Sequence, residues 1–404
     1  MPCTKVASLA AKRDWRRGDL GMSPRMKSLT AGVAASLLAA TLLVQGCKGR
    51  RNRSELQPST EVLPALLDST KQLKYQWLVP PDPALEPPLA APVEIAVDAE
   101  RRRLLVLESQ PPGLRVYDLA TGRFIRTLGG PGDGPGEYRY PISLAVNREG
   151  VAAVLSMAGR VTFWGTDHAL LGSVRTGPGL PTDILAARAD SFYVKVDRFP
   201  PLDVAEFRVV APDTALAGSR FNDEAIPGTD EIGHASRNHS YAVAAGGSGG
   251  LLISPPGPEY LIMRVGSTGT VRAVIRRADV APLRRSAAEI EAIRRRVRRN
   301  FAAAGRAAPT DINVPVFRSH IARLVVAGDG SLWALTQRGD SATTVVDQFS
   351  PEGRFIGSHR IGLRASQIAL TDKGLYLLVL SRLDLPAIAV ADRPETTRTF
   401  AEGE

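Results

Sequence analysis

From residue 70 onward the chain sets short apolar runs between turn residues, and only one segment carries helical spacing. That pattern predicts an all-β fold. Ala96-Val97-Asp98, Ala145-Val146-Asn147, Val326-Ala327-Gly328-Asp329 and Ala369-Leu370-Thr371-Asp372 each close a strand at a tight turn. The next strand follows at once, at Arg103–Leu107, Val151–Leu155, Ser331–Leu335 and Leu375–Val379. Glu149-Gly150, Asp329-Gly330 and Lys373-Gly374 supply the hairpin geometry that glycine permits. Outer hairpins follow in two clear copies. Val116-Tyr117-Asp118 leads to Gly122-Arg123-Phe124-Ile125, and Gln348-Phe349-Ser350 leads to Gly353-Arg354-Phe355-Ile356. Weaker copies stand at Arg264–Val271 and from Val161–Trp164 to Leu170-Leu171.

Four strands per unit, repeating at about 40 to 55 residues, predict propeller blades, small sheets that bury both faces by packing on their neighbours. First strands at Val97, Val146, Ala187, Val243, Val326 and Leu370 predict an all-β, six-bladed β-propeller over residues 71–400. Its third blade spans Ile184 to Asp223, and Gln72–Val79 is the expected outer strand that closes blade six. A pair of β-sandwiches or a seven-bladed ring would use the same strands differently.

The run Gly129-Gly130-Pro131-Gly132-Asp133-Gly134-Pro135-Gly136-Glu137-Tyr138-Arg139-Tyr140-Pro141, with a degenerate copy at Thr176–Pro181 in the next unit, falls at a blade junction. It lacks the Gly-Lys-Ser/Thr ending of a phosphate loop and opens no helix. It resembles the blade-linking signature of bacterial six-bladed propeller lipoproteins related to the NHL repeat, a resemblance that covers residues 90 to 395 in outline. The resemblance implies a protein-binding or glycan-binding scaffold, although related propellers also include lyases and lactonases.

One helix is expected between blades four and five, inside an insertion over 284–305. Ser286-Ala287-Ala288-Glu289 forms a capping box and Gly305 offers a stop. Ile290, Ile293, Val297 and Phe301 make an apolar stripe, away from which lie Arg294, Arg295, Arg298 and Arg299. Glu291 and Arg295 have the spacing of an i,i+4 pair. The segment reads as a lid packed by its stripe, with a basic face suited to an acidic envelope protein, an anionic glycan or a phospholipid surface.

The chain's start changes the view of its charge. Residues 1–46 read as a leader whose true start is Met22 or Met26. Its apolar stretch from Ala31 to Val44 runs into Val44-Gln45-Gly46-Cys47, the form of a lipoprotein signal with Cys47 as the acylated residue. Residues 47–70 then form a tether. The leader holds seven Lys/Arg and two Asp/Glu, so its removal lowers the net charge from +10 to +5. An exported chain of that charge is no nucleic-acid binder. The expected place is a bacterial membrane, on its periplasmic or cell-surface side. With only Cys3 and Cys47, a disulfide framework or Cys-rich metal site is excluded.

Propeller ligands meet the loops that join blades, so residues just before each first strand are the candidates. Arg237-Asn238-His239 and Arg318-Ser319-His320 repeat Arg-x-His at successive junctions, and Arg139 and Asp183 occupy comparable places. On an extended segment Arg and His of each pair would share one side and suit an anionic group, or the same residues simply cap loops. No cofactor and no metal are expected. No nucleophile elbow or catalytic carboxylate pair is legible, so a noncatalytic binding or scaffold module is the first reading and a lactonase-like hydrolase or lyase the second.

Overall fold

A computed structural model describes residues 70–394 apart from 83, 85–86, 187–189, 198–204, 213–217, 223–241, 246–249, 256, 267–270, 304, 306, 313 and 382–384. Cys47 and the leader, together with Arg237 and His239, lie outside the described residues.

The first two strands are β1 (Lys71–Leu73) and β2 (Tyr75–Val79). A four-stranded meander follows, β3 (Pro92–Asp98), β4 (Arg103–Ser109), β5 (Pro112–Asp118) and β6 (Phe124–Leu128). The glycine-rich run carries a short parallel pair, β7 (Gly130–Pro131) with β8 (Glu137–Tyr138). The second meander is β9 (Pro141–Val146), β10 (Ala152–Ser156), β11 (Arg160–Trp164) and β12 (Leu170–Arg175). The third is β13 (Leu180–Ala186), β14 (Phe192–Asp197), β15 (Ala205–Val210) and β16 (Gly218–Asn222). The fourth is β17 (Ala242–Ala245), β18 (Leu251–Ser254), β19 (Leu261–Val265) and β20 (Val271–Arg276). Helix α1 (Ala287–Ala303) comes next in the chain. Then come β21 (Ile321–Val326), β22 (Leu332–Thr336), β23 (Thr344–Phe349) and β24 (Phe355–Ile361), followed by β25 (Ala365–Leu370), β26 (Gly374–Leu380) and β27 (Pro386–Asp392).

Neighbouring sheets cover each other's faces, and β4 shows why its sequence is continuously apolar rather than alternating. Leu104 and Val106 pack with Tyr376, Leu378 and Ile388 of the last sheet. Leu105 and Leu107 turn the other way, onto Leu144, Val154 and Trp164 of the second meander. The middle strands β10, β22 and β23 are buried throughout for the same reason. The first strands adjoin in cyclic order, β3 to β9, β13, β17, β21 and β25, with β25 returning to β3. The chain is an all-β β-propeller.

Two expectations change. Residues 72–79 do not form one closing strand. Tyr75–Val79 pairs antiparallel with β27 and completes that sheet, whereas Lys71–Leu73 pairs parallel with β24, Leu73 opposite Ile361. The incoming chain hydrogen-bonds to two adjacent outer edges in turn. Five sheets therefore have four strands, and the sheet of β21–β24 departs from the expected blade by carrying a fifth.

The glycine-rich run makes a tight junction. Gly129 has φ 71°, and a Cβ there would stand 2.3 Å from the Gly136 carbonyl oxygen, so only glycine fits. The junction is anchored where the Trp164 indole N–H donates to the Tyr138 hydroxyl.

Candidate functional site

Each first strand places a polar or small side chain just before a core aliphatic. The pairs are Glu94-Ile95, Ser143-Leu144, Asp183-Ile184, Ala242-Val243, Arg323-Leu324 and Gln367-Ile368, and every aliphatic falls in a different inter-sheet cluster. In β3, β13, β21 and β25 the ladder bulges immediately ahead of the polar member, and in β9 the register shifts just ahead of Ser143. Bulges re-aim side chains, here toward the central channel.

There the polar groups bind one another. Glu94 is 1% exposed and accepts from the Leu144 N–H at 2.7 Å. Its other oxygen meets the guanidinium of Arg323, which belongs to a first strand on the far side of β25, so this ion pair spans the channel. Burial lowers the Arg323 pKa to about 10. The Ser143 hydroxyl donates to Asp183 at 2.7 Å, and the Ile184 N–H donates to the same carboxylate oxygen at 2.9 Å. Burial raises the Asp183 pKa to about 6, against the pull of those hydrogen bonds and of the Lys195 charge. Asp183 keeps partial contact with solvent, so its carboxyl is a desolvated group at a channel wall rather than a core residue.

Beside the channel opens a cavity of about 820 Å³. Its walls come from the β22–β23, β24–β25 and β26–β27 connections and the start of β21, which all lie at one end of the ring. Ala322 and Ser366, the bulged residues preceding Arg323 and Gln367, line it, as do Arg318, Asp340 and Arg364. Hydrogen bonds from Ala342 and Thr343 lower the Asp340 pKa from the usual carboxylate value. The insertion reaches this cavity through Arg318, which donates to Glu289 of α1 at 2.8 Å. The base of the insertion is stitched like a hairpin, Arg285 N–H to Val316 at 2.8 Å and Arg318 N–H to Leu283 at 2.7 Å.

The expected site residues that are described are not gathered in one place. Arg139 is exposed and pairs with Asp133 inside its own loop. Asp183 lies within β13 and faces Ser143. Arg318 and His320 do not meet a common space, because Arg318 faces the cavity and Glu289 while His320 is buried. His320 is 2% exposed, its Nε2 2.9 Å from the Pro258 carbonyl oxygen and its ring 5.7 Å from Tyr260. It is a core residue linking two sheets. On α1, the Ser286 hydroxyl accepts from the Glu289 N–H at 3.2 Å, but the Glu289 side chain turns to Arg318 instead of closing the capping box. Glu291 pairs with Arg298 at 3.3 Å and approaches Arg294 at 3.9 Å, and the pair with Arg295 is not made. Arg295, Arg298 and Arg299 are exposed, while Arg294 also donates to the Ile312 carbonyl. The apolar stripe is half-buried and joins none of the inter-sheet clusters. Among the described residues no three His, Cys, Asp or Glu side chains gather around a common point.

Glu94 and Arg323 lie inside the first strands, whereas the candidates legible in the sequence stand before them. A signal existed, since a charged residue directly precedes the aliphatic pair in Glu94-Ile95-Ala96-Val97 and Arg323-Leu324-Val325-Val326.

No family model matches the chain, and no curated protein matches it. Among solved structures it is similar to a gluconolactonase from Xanthomonas campestris, at 12% identity and TM-score 0.48, over 83% of this chain and 96% of that one. It is also similar to a calcium-binding protein, regucalcin, from Agrobacterium tumefaciens, at 10% identity and TM-score 0.45, over 81% and 97%. A β-propeller domain from Myceliophteria thermophila gives 12% and 0.43, over 75% and 97%. Such likeness concerns fold alone.

Proposed function

We propose that the chain is an exported bacterial lipoprotein, held to a membrane by acyl chains on Cys47, whose six-bladed propeller is a noncatalytic binding module of the cell envelope. The six-blade count is supported by six first strands following one another around the channel, with the five-stranded sheet of β21–β24 taken as one blade. The observation that carries the binding reading is the contrast at one end of the ring. The channel charges Glu94 and Arg323 are consumed by each other in a buried pair, whereas the neighbouring cavity presents Arg364, unpaired among the described residues, and Arg318, whose pair with Glu289 is open to water. The basic residues Arg294, Arg295, Arg298 and Arg299 are a second surface for an acidic envelope partner or an anionic glycan. Metabolic labelling with an alkyne fatty acid tests the anchor. Label should enter the wild-type chain and be absent from Cys47→Ala, and equal labelling of both would remove the lipoprotein reading.

A second reading, a channel hydrolase or lyase, is favoured by one feature. Asp183 holds its proton up to about pH 6 beside the Ser143 hydroxyl, as a general acid must. A turnover screen against lactones and glycans separates the two. Turnover lost in Asp183→Asn supports the enzyme, and no turnover in wild-type protein supports the binding module.

A further inference from the structure

The cavity beside the channel has a charge pattern that selects its occupant. Arg364 is exposed on its wall and forms no ion pair among the described residues. Arg318 has one, to Glu289 of α1 at 2.8 Å. Asp340, the carboxylate on the opposite loop, is already served by the Ala342 N–H at 2.8 Å and sits near the Arg360 charge. The polar wall thus sets two guanidinium groups against one carboxylate, which is held by its own loop, and its net charge is positive. Ser341, Ser366 and Ser381 add hydroxyls to the same wall, and about 820 Å³ is ample for a sugar-sized molecule.

Glu289 then has a distinct meaning. Its carboxylate occupies Arg318 from the first turn of a helix whose stripe Ile290, Ile293, Val297 and Phe301 is only half-buried. The two side chains are 33% and 39% exposed, so water reaches the pair and a competing carboxylate can replace it at small cost. The hairpin-like base of the insertion is made by backbone groups, the Arg318 N–H among them, and holds α1 to the ring when the side-chain pair opens.

We propose that the cavity binds a small carboxylate-bearing polyol, clamped between Arg364 and Arg318, and that Glu289 is the built-in competitor which the ligand displaces, freeing the start of α1. This rests on the binding reading above and gives it a ligand class. Arginine suits the role because its fork takes both oxygens of a carboxylate.

The test is calorimetric titration of the full mature chain with sodium glucuronate and, in parallel, with glucose. Glucuronate should bind and glucose should not. Glu289→Gln should tighten glucuronate about fivefold, and Arg364→Gln should weaken it about tenfold. Amides of residues 287–291 should exchange faster with solvent when glucuronate is added, and Glu289→Gln should show that faster exchange without it. Equal binding of glucose and glucuronate would overturn the charge assignment while leaving a binding module in place. Unchanged affinity in both variants, or no glucuronate binding in any, would overturn the site itself, while the turnover screen judges the broader reading independently.

Discussion

Two arginine–glutamate pairs separate the interior of the ring from its rim. Arg323 and Glu94 meet across the channel, with Glu94 1% exposed and its second oxygen on a backbone N–H of the next sheet. Arg318 and Glu289 meet at the cavity mouth with a third or more of each side chain in water. The chemistry is the same and the consequences are opposite. Removing one member of a buried pair strands a desolvated charge and costs about 3 to 5 kcal/mol, whereas an exposed pair contributes about 0 to 1 kcal/mol. The inner pair ties blades together, and the outer one can open and close at the scale of ligand binding.

The largest test of that contrast is Glu94→Gln. It should lower stability by about 3 to 5 kcal/mol in urea unfolding, and Glu94→Gln with Arg323→Met should recover much of the loss, because no unpaired charge remains. An unchanged midpoint in Glu94→Gln would mean that the pair does not hold the channel.

Next come two desolvated groups that pull stability in opposite directions with pH. Asp183 rises from 3.8 to about 6 on folding, so the folded state holds more protons and its contribution is lost as pH rises through that window. His359, buried against Trp333 and 3.0 Å from Gln348 Oε1, falls from 6.5 to about 4. There the unfolded state holds more protons, and stability is lost as pH falls below about 6.5. Each is worth about 3 kcal/mol across its window. Relative to wild type, Asp183→Asn should gain stability with rising pH between 4 and 6, and His359→Gln should lose it, both read from unfolding midpoints. Parallel pH curves for all three proteins would contradict both assignments.

The smallest effect belongs to the rim. Glu289→Gln should change global stability by less than about 1 kcal/mol, and added salt should erase what difference there is. A loss as large as that of Glu94→Gln would show that α1 is part of the core.

Much of the architecture was legible because hairpins announce themselves locally. Asp329-Gly330 and Lys373-Gly374 turn where they were expected to, and the continuous apolar runs Leu104–Leu107 and Leu375–Val379 mark strands covered on both faces. The capping residue Ser286 and the stop at Gly305 were equally local. The partners were not legible. Nothing near Lys71 says that it will lie beside His359 while Tyr75 lies beside Ala391. His320 reads as a channel ligand and is a core residue, because its burial against Pro258 and Tyr260, beside another sheet, is set by tertiary packing and not by the Arg-x-His spacing.

The sequence by itself determined the strands, the turns, the helix and its basic face, because propensity, capping and glycine geometry act over a few residues. Only the tertiary structure decided which arginine is consumed and which is available. Charge interactions depend on distance and burial, and both are set here by the closing of the ring, which brings Arg323 to Glu94 across more than two hundred residues of chain.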